Sequence, residues 1–145
     1  RDIKPDNILL SDLGPSPLLK ISDFGLSKMR EAMNTQCGTN VYVASEIKKK
    51  KKNYTNKVDI WSSGCVLYAM IEGEHPQHPG NQREMLNSMN EEKWNNVSID
   101  VKCIFKIMLQ QDAEYRFSAG QLLKHKWMKG NESTITLMAT RLVSP

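Results

Sequence analysis

A chain of 145 residues is long enough for one domain, and 39% hydrophobic with 25% charged residues is the ordinary mix of a soluble globular protein. No apolar run approaches the ~20 residues that span a bilayer, the first residues carry no basic-then-apolar leader, and three scattered cysteines (Cys37, Cys65, Cys103) support neither a disulfide framework nor a zinc site. The 20 basic side chains outnumber the 16 acidic ones only through one run, Lys48 to Lys52, which has no interleaved aromatics and reads as a solvated loop rather than a nucleic-acid surface.

The first element is a hairpin. Ile8-Leu9-Leu10 and Leu18-Leu19-Lys20-Ile21 flank a Ser-Asp-Leu-Gly-Pro-Ser-Pro turn. Asp2, Lys4 and Asn7 precede the first run and Asp23 follows the second. Pairing the runs brings these outer ends together, so two carboxylates, an amide and an ammonium surround one small space. Oxygen ligands suit a hard divalent cation, and a lysine balances the charge of a phosphate.

Arg1-Asp2, Lys4 and Asn7 fit the pattern R-D-x-K-x-x-x-N, and Asp23-Phe24-Gly25 follows in order. Together they resemble the catalytic loop and D-F-G of eukaryotic protein kinases, and the lysine two places after the Asp resembles the serine/threonine form. The resemblance implies a mainly α fold: the C-terminal helical lobe of a kinase, with a short β-hairpin at its start and the N-terminal lobe absent. Residues 1–128 would be a partial kinase domain, and 129–145 a loosely attached tail.

Further along, the resemblance makes residues 23–46 an activation segment closing on Ala44-Ser45-Glu46. It implies a phosphorylated Thr35, two positions before Cys37-Gly38-Thr39, with Arg1 as bidentate partner and Lys28 as a second cation. Lys57 to Gly73 is apolar on nearly all sides, the mark of a buried helix, and Gly73 supplies its stop. Its Asp59 resembles the family residue that holds the catalytic-loop backbone, although a carboxylate in a helix's first turn is favourable by itself. His75 and His78 are two potential ligands without a third, and read as a surface loop. A short helix is expected over Gln82–Met89. Another opens at Ser98, with Val101, Ile104, Phe105, Met108 and Leu109 at 3–4 spacing. A single last helix carries Leu122, Leu123 and Trp127. The Arg116 before it resembles the family arginine that pairs with Glu46, a loss of about 3–5 kcal/mol if either partner is removed from a buried pair.

Function follows from the same resemblance. It implies transfer of the ATP γ-phosphate to Ser or Thr hydroxyls of a protein substrate. Asp2 would orient or deprotonate the acceptor, Lys4 would offset γ-phosphate charge, and Asn7 and Asp23 would hold Mg²⁺. Gly38 and Thr39 would dock the acceptor, with the Thr39 hydroxyl between Asp2 and Lys4. Ser45 stands where the family has proline, and Asn40 where proline commonly follows Gly-Thr; two lost φ constraints could loosen the docking loop. The chain contains no glycine-rich loop or strand lysine, so the 145 residues alone are expected to be inactive; the family helix that packs against the central helix, just before the catalytic loop, is also missing, and the apolar faces meant for it are expected to lie exposed. A degenerate kinase serving as a binding module is the alternative that Ser45 and Asn40 favour. The segment Tyr54 to Pro76 also resembles the kinase–endoribonucleases of the unfolded-protein response, but the residues after Met128 are too few for a nuclease module, and Cys37-Gly38-Thr39 with the last helix instead resembles the calmodulin-dependent class, so both subfamilies stay open. The cysteine usage fits a reducing, cytoplasmic setting.

Overall fold

The computed structural model describes residues 2–14, 17–23, 41–49 and 54–130. Arg1, Lys28, Thr35, Gly38, Thr39 and Asn40 lie outside them, as do Lys50–Lys52 and the tail from Asn131. The described elements are a 3-10 turn, Pro5–Asn7, then β1 (Ile8–Leu10), β2 (Leu19–Ile21), α1 (Ser45–Lys48), α2 (Lys57–Glu72), α3 (Gln82–Asn87), α4 (Glu91–Asn95), α5 (Ile99–Met108), α6 (Ala119–Leu122) and α7 (Lys126–Gly130). This is the expected mainly helical lobe with a hairpin at its start.

β1 and β2 pair antiparallel, with Ile8 opposite Ile21 and Leu10 opposite Leu19. Beyond the ladder, Ser11 N–H donates to the Leu18 carbonyl, and the Ser11 hydroxyl accepts from Leu18 N–H, both at 2.9 Å. Asp12 accepts from the Gly14 amide at 2.8 Å, a local turn bond typical of Asp. The hairpin leaves Leu9, Leu18, Leu19 and Ile21 on the surface.

α2 is the central helix. Val58, Trp61, Cys65, Val66, Leu67 and Tyr68 are all buried, on more than one face. Its stop is Gly73, in the left-handed region at φ 76°, with its N–H donated to the Ala69 carbonyl at 2.9 Å. α5 lies against it through Val101, Ile104, Phe105 and Met108. Gly64 permits the close approach, since a Cβ there would stand 2.9 Å from Leu109 Cδ2 and 3.1 Å from Met108 Cβ. Phe105 packs against Tyr68 and Trp94, with ring centroids 6.3 and 4.7 Å apart.

Side-chain caps explain the short helices. Asn81, Asn90 and Ser98 each accept a backbone N–H three residues on, at 3.3, 3.1 and 3.4 Å. The Asn90 cap opens α4, an element the sequence reading does not contain. α3 also ends at Asn87, two residues before the expected Met89.

The single last helix is a correction. It is two short helices, and Leu123 between them is 63% exposed rather than in the core. Ser118 and Gln121 form a reciprocal capping box that starts α6. The chain then tightens into i→i+3 bonds at Lys124 and His125, and His125 Nδ1 accepts from Trp127 N–H at 3.3 Å to restart the helix.

Candidate active site

The 3-10 turn builds the first part of the site. Pro5 opens it, where a missing N–H is harmless, and Asn7 N–H closes it on the Lys4 carbonyl at 3.0 Å. The tight turn folds Asn7 back onto Asp2. Asn7 Nδ2 donates to the Asp2 carbonyl at 2.7 Å and to Asp2 Oδ2 at 3.1 Å. Lys4 Nζ stands 3.0 Å from the same Oδ2. Asp2, Lys4 and Asn7 are therefore one cluster, as the sequence spacing suggested.

The hairpin returns Asp23 to this cluster. Ser22 N–H donates to the Asn7 carbonyl at 2.8 Å, and the Ser22 hydroxyl lies 3.3 Å from it. Asp23 follows at φ 56°, in the left-handed region, which costs a non-glycine residue about 1–2 kcal/mol. Such a conformation persists where the surroundings over-determine it, as at functional sites. The hydrogen bond from Lys4 to Asp2 raises the ammonium's pKa, burial opposes this, and the charges of Asp2, Asp6 and Asp23 add to the rise. Lys4 is accordingly held as a cation.

The donors fit a hard cation. Asn7 Nδ2 is committed to Asp2, which leaves Oδ1 as the oxygen available to a metal. Asp23 supplies a carboxylate one residue beyond the Ser22 contact. Among the described residues no three His, Cys, Asp or Glu side chains converge on one point. A cation at Asn7 and Asp23 would thus need further oxygens, and Mg²⁺ takes these from water and substrate phosphates.

A second charged cluster frames the site. Arg116 Nη1 and Nη2 donate to Glu46 Oε1 and Oε2 at 2.7 and 3.2 Å, a bidentate pair 70 residues apart in sequence. The guanidinium also donates to the Gln110 carbonyl through Nε and Nη2 at 3.0 and 2.9 Å, and to the Lys57 carbonyl at 2.9 Å. It lies over the Trp61 ring, 5.1 Å from the centroid. Lys57 answers this grip. Its Nζ donates to the Ala113 and Glu114 carbonyls at 2.9 and 3.0 Å, so the start of α2 and the turn before Arg116 hold each other. Asp59 sits in the first turn of α2, half-buried.

Ser45 replaces a proline of the family pattern, yet α1 begins at it without disorder in its bonds. The Ile47 and Lys48 amides both donate to the Ala44 carbonyl, at 3.1 and 3.2 Å. The Ser45 hydroxyl lies 3.5 Å from Glu46 Oε2. Lys48, the first of the lysine run, reaches the Pro79 carbonyl at 3.1 Å and so is not simply solvated.

Five residues around the site have no partner assigned from the sequence: Lys57, Glu72, Tyr42, His75 and His78. Lys57 carries no motif. Glu72 is buried at the end of α2, where it accepts from the Trp94 indole at 2.5 Å and from Asn90 N–H at 2.9 Å. Tyr42 meets His75 at 2.6 Å, while His78 pairs with Glu84 at 2.9 Å. The two histidines thus serve different partners. An acidic residue one place before a helix-stop glycine, at the end of a helix otherwise apolar on nearly all sides, is the local signal that could have found Glu72.

Residues 1–128 match the family model described as the protein kinase domain. The chain is 39% identical over 139 residues to the serine/threonine-protein kinase atg1 of Dictyostelium discoideum, covering 92% of this chain and 21% of that protein. It is 34% identical over 145 residues to a probable myosin light chain kinase of the same organism, covering 93% and 41%. Calcium-dependent protein kinase 21 of Arabidopsis thaliana matches at 34% over 143 residues, covering 92% and 27%. Each time the chain spans less than half of the relative. Among solved structures, the Rad53 kinase domain and SCD2 in complex with AMPPNP superposes with a TM-score of 0.63 at 30% identity, over 88% of this chain and 49% of that one.

Proposed function

The chain belongs to the protein kinase family, in its serine/threonine class, and from that footing we propose that the protein containing it transfers the γ-phosphate of ATP to Ser or Thr hydroxyls of a protein substrate. The observation that carries the reading is the Asp2–Lys4–Asn7 cluster at the mouth of the hairpin, with Asp23 returned beside it. Phosphoryl transfer asks a protein mainly to position groups and neutralise charge. Asp2 accepts or orients the acceptor proton. Lys4, kept cationic by its carboxylate neighbours, offsets charge on the moving phosphoryl group. Asn7 Oδ1 and Asp23 are the oxygens to hold Mg²⁺, which when bound supplies charge neutralisation at the phosphates.

Around this core, Gly38 and Thr39 dock the acceptor. Asp59 braces the catalytic loop from α2, and a phosphate on Thr35 would add about −1.5 to −2 charge for Arg1 and Lys28 to read. The 145 residues alone hold the metal and charge-balancing groups of a nucleotide site but no glycine-rich phosphate loop or strand lysine. By themselves they are proposed to be inactive. The test uses the full-length protein with Mg-ATP and a Ser/Thr peptide. Asp2→Asn should reduce phosphate transfer by about 10²–10⁴-fold. Transfer unchanged by that substitution would falsify the assignment.

A further inference from the structure

We propose that His75, in the loop after α2, is a positioning residue for residues 41–44, the stretch that follows the proposed acceptor-docking Gly38 and Thr39 in sequence, acting through Tyr42. The inference rests on the kinase reading and adds to it a specificity-setting contact outside the catalytic cluster. Tyr42 stands three residues after Thr39 and three before the start of α1. Its backbone and its side chain are both tied down. The Ser62 hydroxyl of α2 donates to the Tyr42 carbonyl at 2.9 Å. The Tyr42 hydroxyl meets His75 Nδ1 at 2.6 Å, and the two rings touch edge-on, 5.8 Å between centroids at 86°.

Tyr42 is 8% exposed, and burial pushes its hydroxyl up to about 12, so the phenol keeps its proton and can either donate to His75 Nδ1 or accept from it, according to the imidazole tautomer. His75 is itself exposed, and its loop is anchored behind it by the left-handed Gly73 and ahead by buried Pro76. Without His75, Tyr42 keeps its backbone anchor on α2 but loses the side-chain anchor. The buried phenol then lacks its hydrogen-bond partner, which favours rearrangement of residues 41–44. That segment leads directly from the docking residues to the Glu46–Arg116 frame, so its displacement should be felt in acceptor binding before nucleotide binding.

The experiment measures steady-state kinetics of the full-length protein with a Ser/Thr peptide, varying peptide and ATP separately. His75→Ala and Tyr42→Phe should each raise the peptide KM about fivefold, the factor expected for one net hydrogen bond, with the ATP KM unchanged and kcat within about twofold. His75→Asn, whose side-chain amide can accept or donate in place of Nδ1, should recover most of the loss. The double variant should lose no more than either single one. Hydrogen exchange of the same variants gives a readout independent of turnover: amides of residues 41–44 should lose protection while those of α5 keep it. An unchanged peptide KM, equal rises in both KM values, or unchanged protection at 41–44 would overturn the proposal. Wild-type protein that transfers no phosphate would count against the proposed function alone, and exchange would still decide the role of His75.

Discussion

Replacing Arg116 by alanine removes the centre of the frame. Its side chain is fully buried and its partner Glu46 is 8% exposed, so solvent screens the pair little. Truncation leaves the Glu46 carboxylate with the Ser45 hydroxyl at 3.5 Å as its remaining described partner. It also takes two donors from the Gln110 carbonyl and one from Lys57. Breaking a buried pair by removing one partner costs about 3–5 kcal/mol, whereas an exposed pair is worth about 0–1 kcal/mol. The lost stacking over Trp61 adds a fraction of a kcal/mol or more, and water entering the vacated space offsets part of the total. A loss of about 4 kcal/mol is therefore expected, a large share of the roughly 5–15 kcal/mol that holds a domain folded. Urea denaturation of the protein reads it directly. With a slope of about 2 kcal/mol per molar, the midpoint should fall by about 2 M. The double variant Glu46→Gln with Arg116→Met, which leaves no stranded charge, should fall by less. A drop under about 0.5 M for Arg116→Ala would mean that the pair behaves as an exposed one and the desolvation argument is wrong.

Two further outcomes test the packing. Gly64→Ala adds about 1 kcal/mol of helix propensity but drives a Cβ to 2.9 Å from Leu109 Cδ2; overpacking of about 1–3 kcal/mol should win, and a melting temperature at or above wild type would contradict the close α2–α5 contact. Burial pushes the Cys65 thiol up to about 12 from an ordinary value of 9.0, so the folded state holds that proton while the unfolded chain releases it; its contribution to stability is complete below pH 9 and fades between about 9 and 12. Cys65→Ala should flatten the loss of stability over that window relative to wild type. Native alkylation at pH 8 with peptide mapping should modify exposed Cys103 and spare Cys65, the reverse order being the refuting result.

How much of this was legible in the sequence depends on how local the cause is. The hairpin was readable because a turn rich in Gly, Pro and Ser separates two apolar runs, and register then follows from the turn. α2 was readable because it is apolar on nearly every side and ends on a glycine. The broken last helix was not. Leu122, Leu123 and Trp127 keep a plausible spacing, but the caps at Ser118 and His125 set up two separate starts, and the intervening Leu123 faces out. α4 was missed since five residues with one tryptophan give no period; its Asn90 cap and the Glu72–Trp94 bond are what hold it. Glu46 and Arg116 were linked only by resemblance, because no residue pattern encodes a contact across 70 positions. Lys57 and the Tyr42–His75 bond had neither a pattern nor a motif to point to them.

The two ion pairs of the site make the same chemical contact in different surroundings, and that difference separates their roles. Lys4 and Asp2 approach to 3.0 Å with side chains 36% and 25% exposed, where such a pair contributes about 0–1 kcal/mol. Arg116 and Glu46 approach to 2.7 Å with 0% and 8% exposure, where breaking it costs several kcal/mol. A weak, wetted pair can exchange its partners for a phosphate and a hydroxyl without threatening the fold. A dry pair with every donor committed cannot, but it can keep the start of α1 in place while the first pair rearranges. Asp2→Asn should consequently remove activity with little change in the urea midpoint, and Arg116→Ala should lower the midpoint first and activity only as a consequence. Loss of stability on Asp2→Asn comparable to that on Arg116→Ala would show that burial is not what divides them.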